Sequence, residues 1–330
     1  MKRIAINGFG RIGRLVFRII EERNDMEIVA INDLSSPEEL AYLLKYDTNH
    51  RRYKKEITYD EENIIVEGRK IRVYKEIEPA NLPWRKLKID TVLECTGKFT
   101  QKEKAMAHID AGAKKVLISA PGKGEMKTIV YNVNDEILTD KDIIVSAASC
   151  TTNCLAPILK VLDDNFKVIK GNMTTIHAYT NDQVTLDVPH KKGILERRGR
   201  ASAMNMIPTS TGAAKAIGKV IPNLEGRIIG NAIRVPISDG SLVDLVIELE
   251  KNVTKEELNR VLKDNMNETL EYTNDPIVSS DIISSTYAAT IDGNLTNVIE
   301  VDKRQLVHIV AWYDNEMGYS HQMVRTLTKM

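Results

Sequence analysis

The run Gly8-Phe-Gly-Arg-Ile-Gly13 restricts the fold of this chain more than any other feature of it. Lys2-Arg-Ile-Ala-Ile6 before it is a short apolar strand, and Ile12, Leu15, Val16 and Ile19 after it fall on one helix face. A GxGxxG run alone means little. In a strand–turn–helix context its glycines allow a tight turn, close approach of a pyrophosphate, and close helix–strand packing. The positive end of the helix then faces the phosphates. A second strand, Glu27-Ile-Val-Ala-Ile-Asn-Asp33, ends in an acid 20 residues after Gly13. That is the place for a carboxylate holding ribose hydroxyls, and it favours NAD over NADP, whose 2′-phosphate would meet a like charge. The competing reading is an ordinary βαβ unit with a glycine turn.

Strand and helix alternate through the first 150 residues. Asp90–Gly97, Lys115–Ser119 and Asp142–Ala147 read as strands, Lys102–Ala113 as a helix, and the stretch Lys54–Tyr74 as inserted hairpin-like strands. This is the pattern of an α/β, Rossmann-like doubly wound parallel sheet. After Cys150 long alternating strands dominate: 166–177, Arg227–Pro236, Ser241–Glu250 and Val307–Tyr313, with helices at Gly212–Val220 and Thr254–Met266. They predict a C-terminal α+β domain with a mostly antiparallel sheet. The expected division is an NAD-binding domain over 1–149 and a catalytic, substrate-binding domain over 150–314. A final helix over 315–330 is expected to pack back on the first domain.

With 330 residues the chain has room for two domains and a large core. Its 46 basic and 46 acidic residues balance, which argues against a general nucleic-acid or membrane-surface binder. No stretch reaches the roughly 20 apolar residues of a membrane span. The chain opens directly into the strand of the glycine turn, so no signal or transit peptide is read from it. Three cysteines, Cys95, Cys150 and Cys154, make no disulfide framework and suggest a reducing, cytoplasmic setting. Cys150 and Cys154 lack a matching His pair, so no metal site is expected.

The chemistry is concentrated in Ser149-Cys-Thr-Thr-Asn-Cys-Leu155. Leu155, Ile158, Leu159 and Leu162 follow at helical spacing, and Pro157 within them is expected only near a helix start. Cys150 is thus read as the first residue of a buried helix, where unpaired N–H groups and the helix dipole favour a thiolate. The alternative is a small buried hydrophobe, the usual lot of a free cysteine. Cys154 is expected to pack beneath the turn. A thiolate nucleophile needs a base, and His177, at the end of an expected strand, is the candidate. The segment Thr180–Ser202 resists assignment; it carries Lys191, Lys192, Arg197, Arg198 and Arg200 and leads to Pro208-Thr-Ser-Thr-Gly212, a polar turn opening a helix. Arginines, hydroxyls and a helix N-terminus together suit a phosphate, and Arg234 ends another strand. A merely solvated loop is the alternative.

Together these runs resemble the phosphorylating glyceraldehyde-3-phosphate dehydrogenases of the bacterial and eukaryotic type. The resemblance spans nearly the whole chain and rests on Asn7–Arg14, Ala148–Pro157, His177–Gln183, Pro208–Lys215 and Tyr313–Ser320. It implies that Cys150 attacks an aldehyde while His177 takes the proton, that hydride passes to NAD, and that inorganic phosphate cleaves the resulting thioester. It implies that Thr180 and Arg234 bind the phosphate of glyceraldehyde 3-phosphate. Ser149, Thr151, Arg198, Thr211 and Gly212 would bind the attacking phosphate. Gly8, Gly10, Arg11, Ile12, Gly13, Asp33, Thr96 and Ser119 would form the cofactor site, with Asn315 orienting the nicotinamide amide and Tyr319 near it. It also implies a homotetramer. The sequence departs from the family in three places: Ser210 in the Pro-Thr-Ser-Thr turn, the run Val235–Ser241 after Arg234, and Met317 where Trp is frequent. None removes a catalytic group. Two other readings stand beside this one: an erythrose-4-phosphate dehydrogenase, which would use water in place of phosphate, and a dinucleotide-fold protein with a mainly binding role.

Overall fold

A computed structural model describes all of residues 1–330. The chain forms two compact units. The first comprises Met1–Tyr131, Asp135–Ser149 and Ser320–Met330, and the second Asn132–Asn134 and Cys150–Tyr319.

The first unit is built on a nine-stranded sheet. Its strands in chain order are β1 Lys2–Asn7, β2 Met26–Asn32, β3 Ile57–Tyr59, β4 Asn63–Val66, β5 Arg69–Tyr74, β6 Thr91–Glu94, β7 Lys115–Ile118, β8 Lys127–Thr128 and β9 Ile144–Ser146. They lie in the order β3-β4-β5-β2-β1-β6-β7-β9-β8. All neighbours pair parallel except β3/β4 and β4/β5, the antiparallel insertion. Helices α1 Arg11–Ile20, α2 Pro37–Lys45, α3 Trp84–Leu87 and α4 Lys102–Asp110 supply the crossovers. Strands β1, β6 and β7 are buried almost throughout, as a sheet covered on both faces requires. Ala5, Val92, Val116 and Ile144 pack with Trp84 in the core. Strand β1 has β2 on one side and β6 on the other, so strand order reverses there. The crevice at the carboxyl ends of such strands is where ligands bind in open α/β sheets.

The second unit has an eight-stranded sheet. Its strands are β10 Val168–Ala178, β11 Ile207–Ser210, β12 Ile228–Val235, β13 Ser241–Leu249, β14 Leu270–Thr273, β15 Ala289–Asp292, β16 Asn297–Val301 and β17 Arg304–Tyr313. The order is β11-β12-β10-β13-β17-β15-β14, with β16 beside β17. β10/β12 and β14/β15 are parallel and the other pairs antiparallel. Helix α5, Cys150–Phe166, packs on this sheet, along with α6 Ala213–Val220 and α7 Lys255–Asp264. Helix α8, Met317–Thr328, follows β17. On β13, Ser241, Val243, Leu245, Ile247 and Leu249 are buried and alternate with half-exposed residues, which puts one face of the strand in the core.

Two local expectations are corrected, and four short strands were not foreseen. Pro157 sits in the interior of α5, not at its start. The helix tolerates it because almost every residue of α5 is buried, and packing outweighs the lost backbone hydrogen bond. Phe166 ends α5 and does not open a strand; Lys167, with φ of 60°, makes the turn into β10. The short strands β11, β14, β15 and β16 lie where alternation is too brief to be read.

Candidate active site

In the first unit, Gly8 has φ of +90°, and a Cβ on it would stand 2.7 Å from the Thr96 nitrogen. A Cβ on Gly13 would stand 2.2 Å from the Gly8 carbonyl oxygen. These two glycines are required by the turn and by helix–strand packing. Gly10 differs, because a Cβ there would meet nothing within 4 Å. The open space lies at the N-terminus of α1, which has no side-chain cap and no acid in its first turn. Free N–H groups and a positive dipole end suit a pyrophosphate. Asp33 is pinned over the turn, Oδ2 accepting the Phe9 N–H at 2.8 Å and Oδ1 the Ser35 N–H at 3.0 Å. Each oxygen keeps a lone pair for a ribose hydroxyl. Gly8, Gly10, Asp33 and Thr96 line one cleft of about 500 Å³. This arrangement fits a dinucleotide.

A buried polar chain reaches that cleft through Asn7, Asn32 and Thr96. Trp84 Nε1 donates to His108 Nδ1 at 3.1 Å, which leaves the other ring nitrogen to donate to Glu94 Oε2, also at 3.1 Å. Asn7 donates to the same carboxylate oxygen at 2.5 Å and accepts from Asn32 at 2.7 Å. Thr96 N–H donates to Glu94 Oε1 at 2.8 Å. The ends of β1, β2 and β6 are thereby tied side chain to side chain. Ser119 follows β7 with its hydroxyl at the Cys95 thiol, and Ile12 lies half-buried in the first turn of α1. The Arg11 side chain is committed within the protein. Its guanidinium grips Asp47 at 2.5 and 3.0 Å, and the Asp47 side chain is only 3% exposed. Arg11 thus clamps the loop after α2 to the start of α1.

In the second unit Cys150 begins α5. The turn before it contains Ala148 with φ of 59°, a strained conformation for a residue with a Cβ, of the kind that clusters at functional sites. Cys150 Sγ lies 3.3 Å from His177 Nε2. The His177 Nδ1 lies 2.7 Å from the Ala178 carbonyl, which also accepts from Arg234 Nη1 at 2.8 Å. Arg234 Nη1 also lies 2.7 Å from Nδ1, so Nδ1 is held between that donor and the carbonyl, and Nε2 is the ring nitrogen that faces sulfur. The residue Cys150 is half-buried while its sulfur is enclosed by protein. Taken singly, burial pushes the Cys150 thiol up and, aided by Arg234, pushes the His177 imidazole down to about 3. Moving the thiol proton to Nε2 leaves the total charge of the pair unchanged. Arg234, the Thr151 hydroxyl and the backbone N–H groups of Cys150 and Thr151 all favour negative sulfur. Cys154, one turn further on, is fully buried with its thiol pushed well up by burial.

Arg234, Arg198 and Asp182 act electrostatically on His177, and the other residues expected to bind anions lie as follows. Arg234 is adjacent to His177 across the β10/β12 register, and its Nε is buried without a partner. A buried guanidinium nitrogen left unpaired is costly unless an anion arrives. Thr180 donates to the Asp182 carboxylate, which also pairs with Arg198. Burial opposes charge on Asp182, yet the Thr180 hydroxyl and the two arginines hold its carboxyl below the usual range. Arg198 Nε donates to Thr209 Oγ1 at 3.2 Å, which fixes the basic loop against the polar turn. Gly212 precedes α6 with no side-chain cap, and Thr211 Oγ1 accepts from Ala213 N–H at 3.2 Å. Ser149 directly precedes Cys150. Thr151 is turned inward, its hydroxyl bonding Tyr313 OH at 2.9 Å. Asn315 is buried, its Oδ1 2.6 Å from Ser241 Oγ, and Tyr319 is buried in the first turn of α8.

Two residues of the site escaped the sequence reading. Asp182 joins Thr180 to Arg198; its one signal was an acid within a stretch otherwise read as basic. Tyr313 OH bonds both Thr151 and Thr175, and its ring meets the His177 ring edge-on at 5.9 Å. A tyrosine closing a buried strand reads as core until the tertiary fold is known.

The family model described as glyceraldehyde 3-phosphate dehydrogenase, NAD binding domain, matches residues 2–102. The one described as glyceraldehyde 3-phosphate dehydrogenase, C-terminal domain, matches residues 149–315. The chain is 55% identical over 327 residues to the glyceraldehyde-3-phosphate dehydrogenase of Clostridium pasteurianum, covering 99% of this chain and 98% of the relative. The relative of the same name from Clostridium acetobutylicum gives the same identity and coverage. The one from Streptococcus pyogenes is 52% identical over 326 residues, covering 98% of this chain and 97% of its own length.

Proposed function

The chain belongs to the glyceraldehyde-3-phosphate dehydrogenase family, and from that premise we propose how its own residues carry the reaction. It is an NAD-dependent oxidoreductase that converts glyceraldehyde 3-phosphate and inorganic phosphate to 1,3-bisphosphoglycerate. The observation that carries the assignment of roles is the 3.3 Å approach of Cys150 Sγ to His177 Nε2 beside the unpaired Arg234 Nε.

In this reading the Cys150 sulfur attacks the aldehyde carbon, and His177 Nε2 holds the proton that sulfur gives up. The Cys150 N–H at the start of α5 and the His177 ring stabilise the oxygen as it gains charge. Glycines 8, 10 and 13, Asp33, Thr96 and Asn315 hold NAD, which when bound supplies the hydride acceptor that takes the Cys150 adduct to a thioester. Thr180 and Arg234 hold the substrate's phosphate, with Asp182 orienting the threonine. Arg198, Thr211 and Gly212 hold the attacking phosphate, whose oxygen displaces sulfur. The test is NADH formation from aldehyde, NAD and phosphate with each omitted in turn. Sustained turnover without phosphate would reject the phosphorylating reaction.

The reading extends to a cytoplasmic homotetramer. Supporting it are three free cysteines and a loop that exposes large apolar side chains, Leu186, Ile194, Leu195, Met204 and Met206, more than 70% each. Such a surface suits a contact between copies. No helix is long and apolar enough to cross a membrane. Light scattering that returned a monomer mass at micromolar concentration would reject the assembly.

A further inference from the structure

On the core face of β13, Ser241 is the exception: Val243, Leu245 and Ile247 after it are apolar, and Ser241 is itself only 1% exposed. A hydroxyl there is costly unless hydrogen-bonded at both ends. Its oxygen accepts the Ala178 N–H at 3.0 Å and lies 2.6 Å from Asn315 Oδ1. The hydroxyl proton needs an acceptor, and the amide oxygen is the one within reach. That settles which end of the Asn315 amide faces Ser241. Reversing the amide would set an NH₂ group against a hydroxyl with no other acceptor for its proton. Asn315 Nδ2 is thus left as a donor with no partner in the chain.

We infer that Ser241 is a positioning residue: it orients the Asn315 amide so that Nδ2 donates to the carboxamide oxygen of the nicotinamide. This rests on the reading above that Asn315 receives that group. The hydroxyl joins Ala178 on β10, one residue beyond His177, to Asn315, two residues past the end of β17. Asp314 secures that end from the other side, accepting the N–H groups of Ser284 at 2.6 Å and Met317 at 2.7 Å. The imidazole that handles the proton and the amide that holds the nicotinamide are therefore referenced to a single side-chain oxygen. Without it, the amide is free to turn over and present its oxygen to another oxygen.

The experiment compares NAD with ADP-ribose, which lacks only the nicotinamide, by titration calorimetry on the full-length protein. It adds proton NMR of the reduced cofactor formed from aldehyde deuterated at C1. Ser241→Ala should weaken NAD about 5–30-fold, the effect of one or two lost hydrogen bonds, and leave ADP-ribose binding unchanged. Deuterium, confined to one face of the ring in the parent, should reach both. Ser241→Cys, nearly isosteric with a poor donor, should show a smaller loss of the same kind and replaces the alanine variant if that variant does not fold. Equal weakening of both ligands makes Ser241 merely structural and overturns the inference. Asn315→Ala separates the premises: if it loses NAD selectively while Ser241→Ala does not, the positioning role alone is wrong. If neither variant loses NAD, the reading of Asn315 falls with it.

Discussion

At the scale of single residues the question is where one proton rests. Sulfur faces Nε2 at 3.3 Å, while Nδ1 is held between the Ala178 carbonyl and the Arg234 guanidinium, so Nε2 is the ring nitrogen placed to exchange a proton with sulfur. Burial pushes the Cys150 thiol up, so in the proposed mechanism its reactivity near neutral pH comes from sharing its proton with His177. His177→Asn should therefore slow turnover by roughly 10²–10⁴-fold and move iodoacetamide alkylation of Cys150 to higher pH. An unmoved alkylation profile would assign activation to the helix N-terminus and Arg234 alone. Cys150→Ser should lose at least ~10³-fold in turnover with NAD affinity retained, whereas Cys154→Ser should be mild.

At the scale of elements, Gly10 and Gly13, three residues apart, behave oppositely. A Cβ on Gly13 has no room beneath Gly8, so Gly13→Ala should lower the melting temperature, with overpacking costing about 1–3 kcal/mol. Gly10 has φ of −73° and open space, so Gly10→Ala should leave melting unchanged and weaken NAD binding by crowding the pyrophosphate. Thermal melts and NAD titrations of both variants check the contrast; matching losses of stability would refute it. In the basic loop, Arg198 touches Thr209 and Asp182 together. Losing one charge-assisted contact of ~1.5–3 kcal/mol in Arg198→Leu should raise the phosphate requirement by tens-fold. The NADH burst with phosphate withheld should survive, though at higher aldehyde concentration, because the freed Asp182 carboxylate stands beside Thr180. A burst that vanishes while phosphate dependence stays normal would mean the two anion sites are exchanged.

At the scale of the whole molecule, pH acts through buried groups. Burial, with Arg325, lowers His321 from 6.5 to about 4. The unfolded chain therefore binds the extra proton between these values and the folded chain does not. Stability is full above about 6.5 and falls as pH drops towards 4, by up to about 1 kcal/mol per pH unit. Melting temperature followed from pH 7 to 4.5 should decline in the parent and decline less in His321→Gln. Equal slopes would place the acid sensitivity elsewhere. Carboxylates held low by their partners, such as Asp47 against Arg11, act in a separate window below their ordinary value.

Local order carried the legible part of this protein. The glycine turn needs only neighbours in sequence: Ile6 before it, Ile12 and Leu15 after it, and Asp33 at the end of the next strand. Cys150 likewise announced itself through the apolar period that follows it. These features persist because backbone conformation and periodic burial are decided within a few residues. What the fold alone decided are meetings across long separations. Asp182 met Arg198 within one loop, but Tyr313 reached Thr151 over 162 positions and Ser241 reached Asn315 over 74. Arg11 was claimed by Asp47, and Pro157 was absorbed into a helix that packing holds together. No periodicity records which hydroxyl will find which acceptor. That pairing is selected only when strands β10, β13 and β17 come into register and each buried polar atom must find a partner other than water.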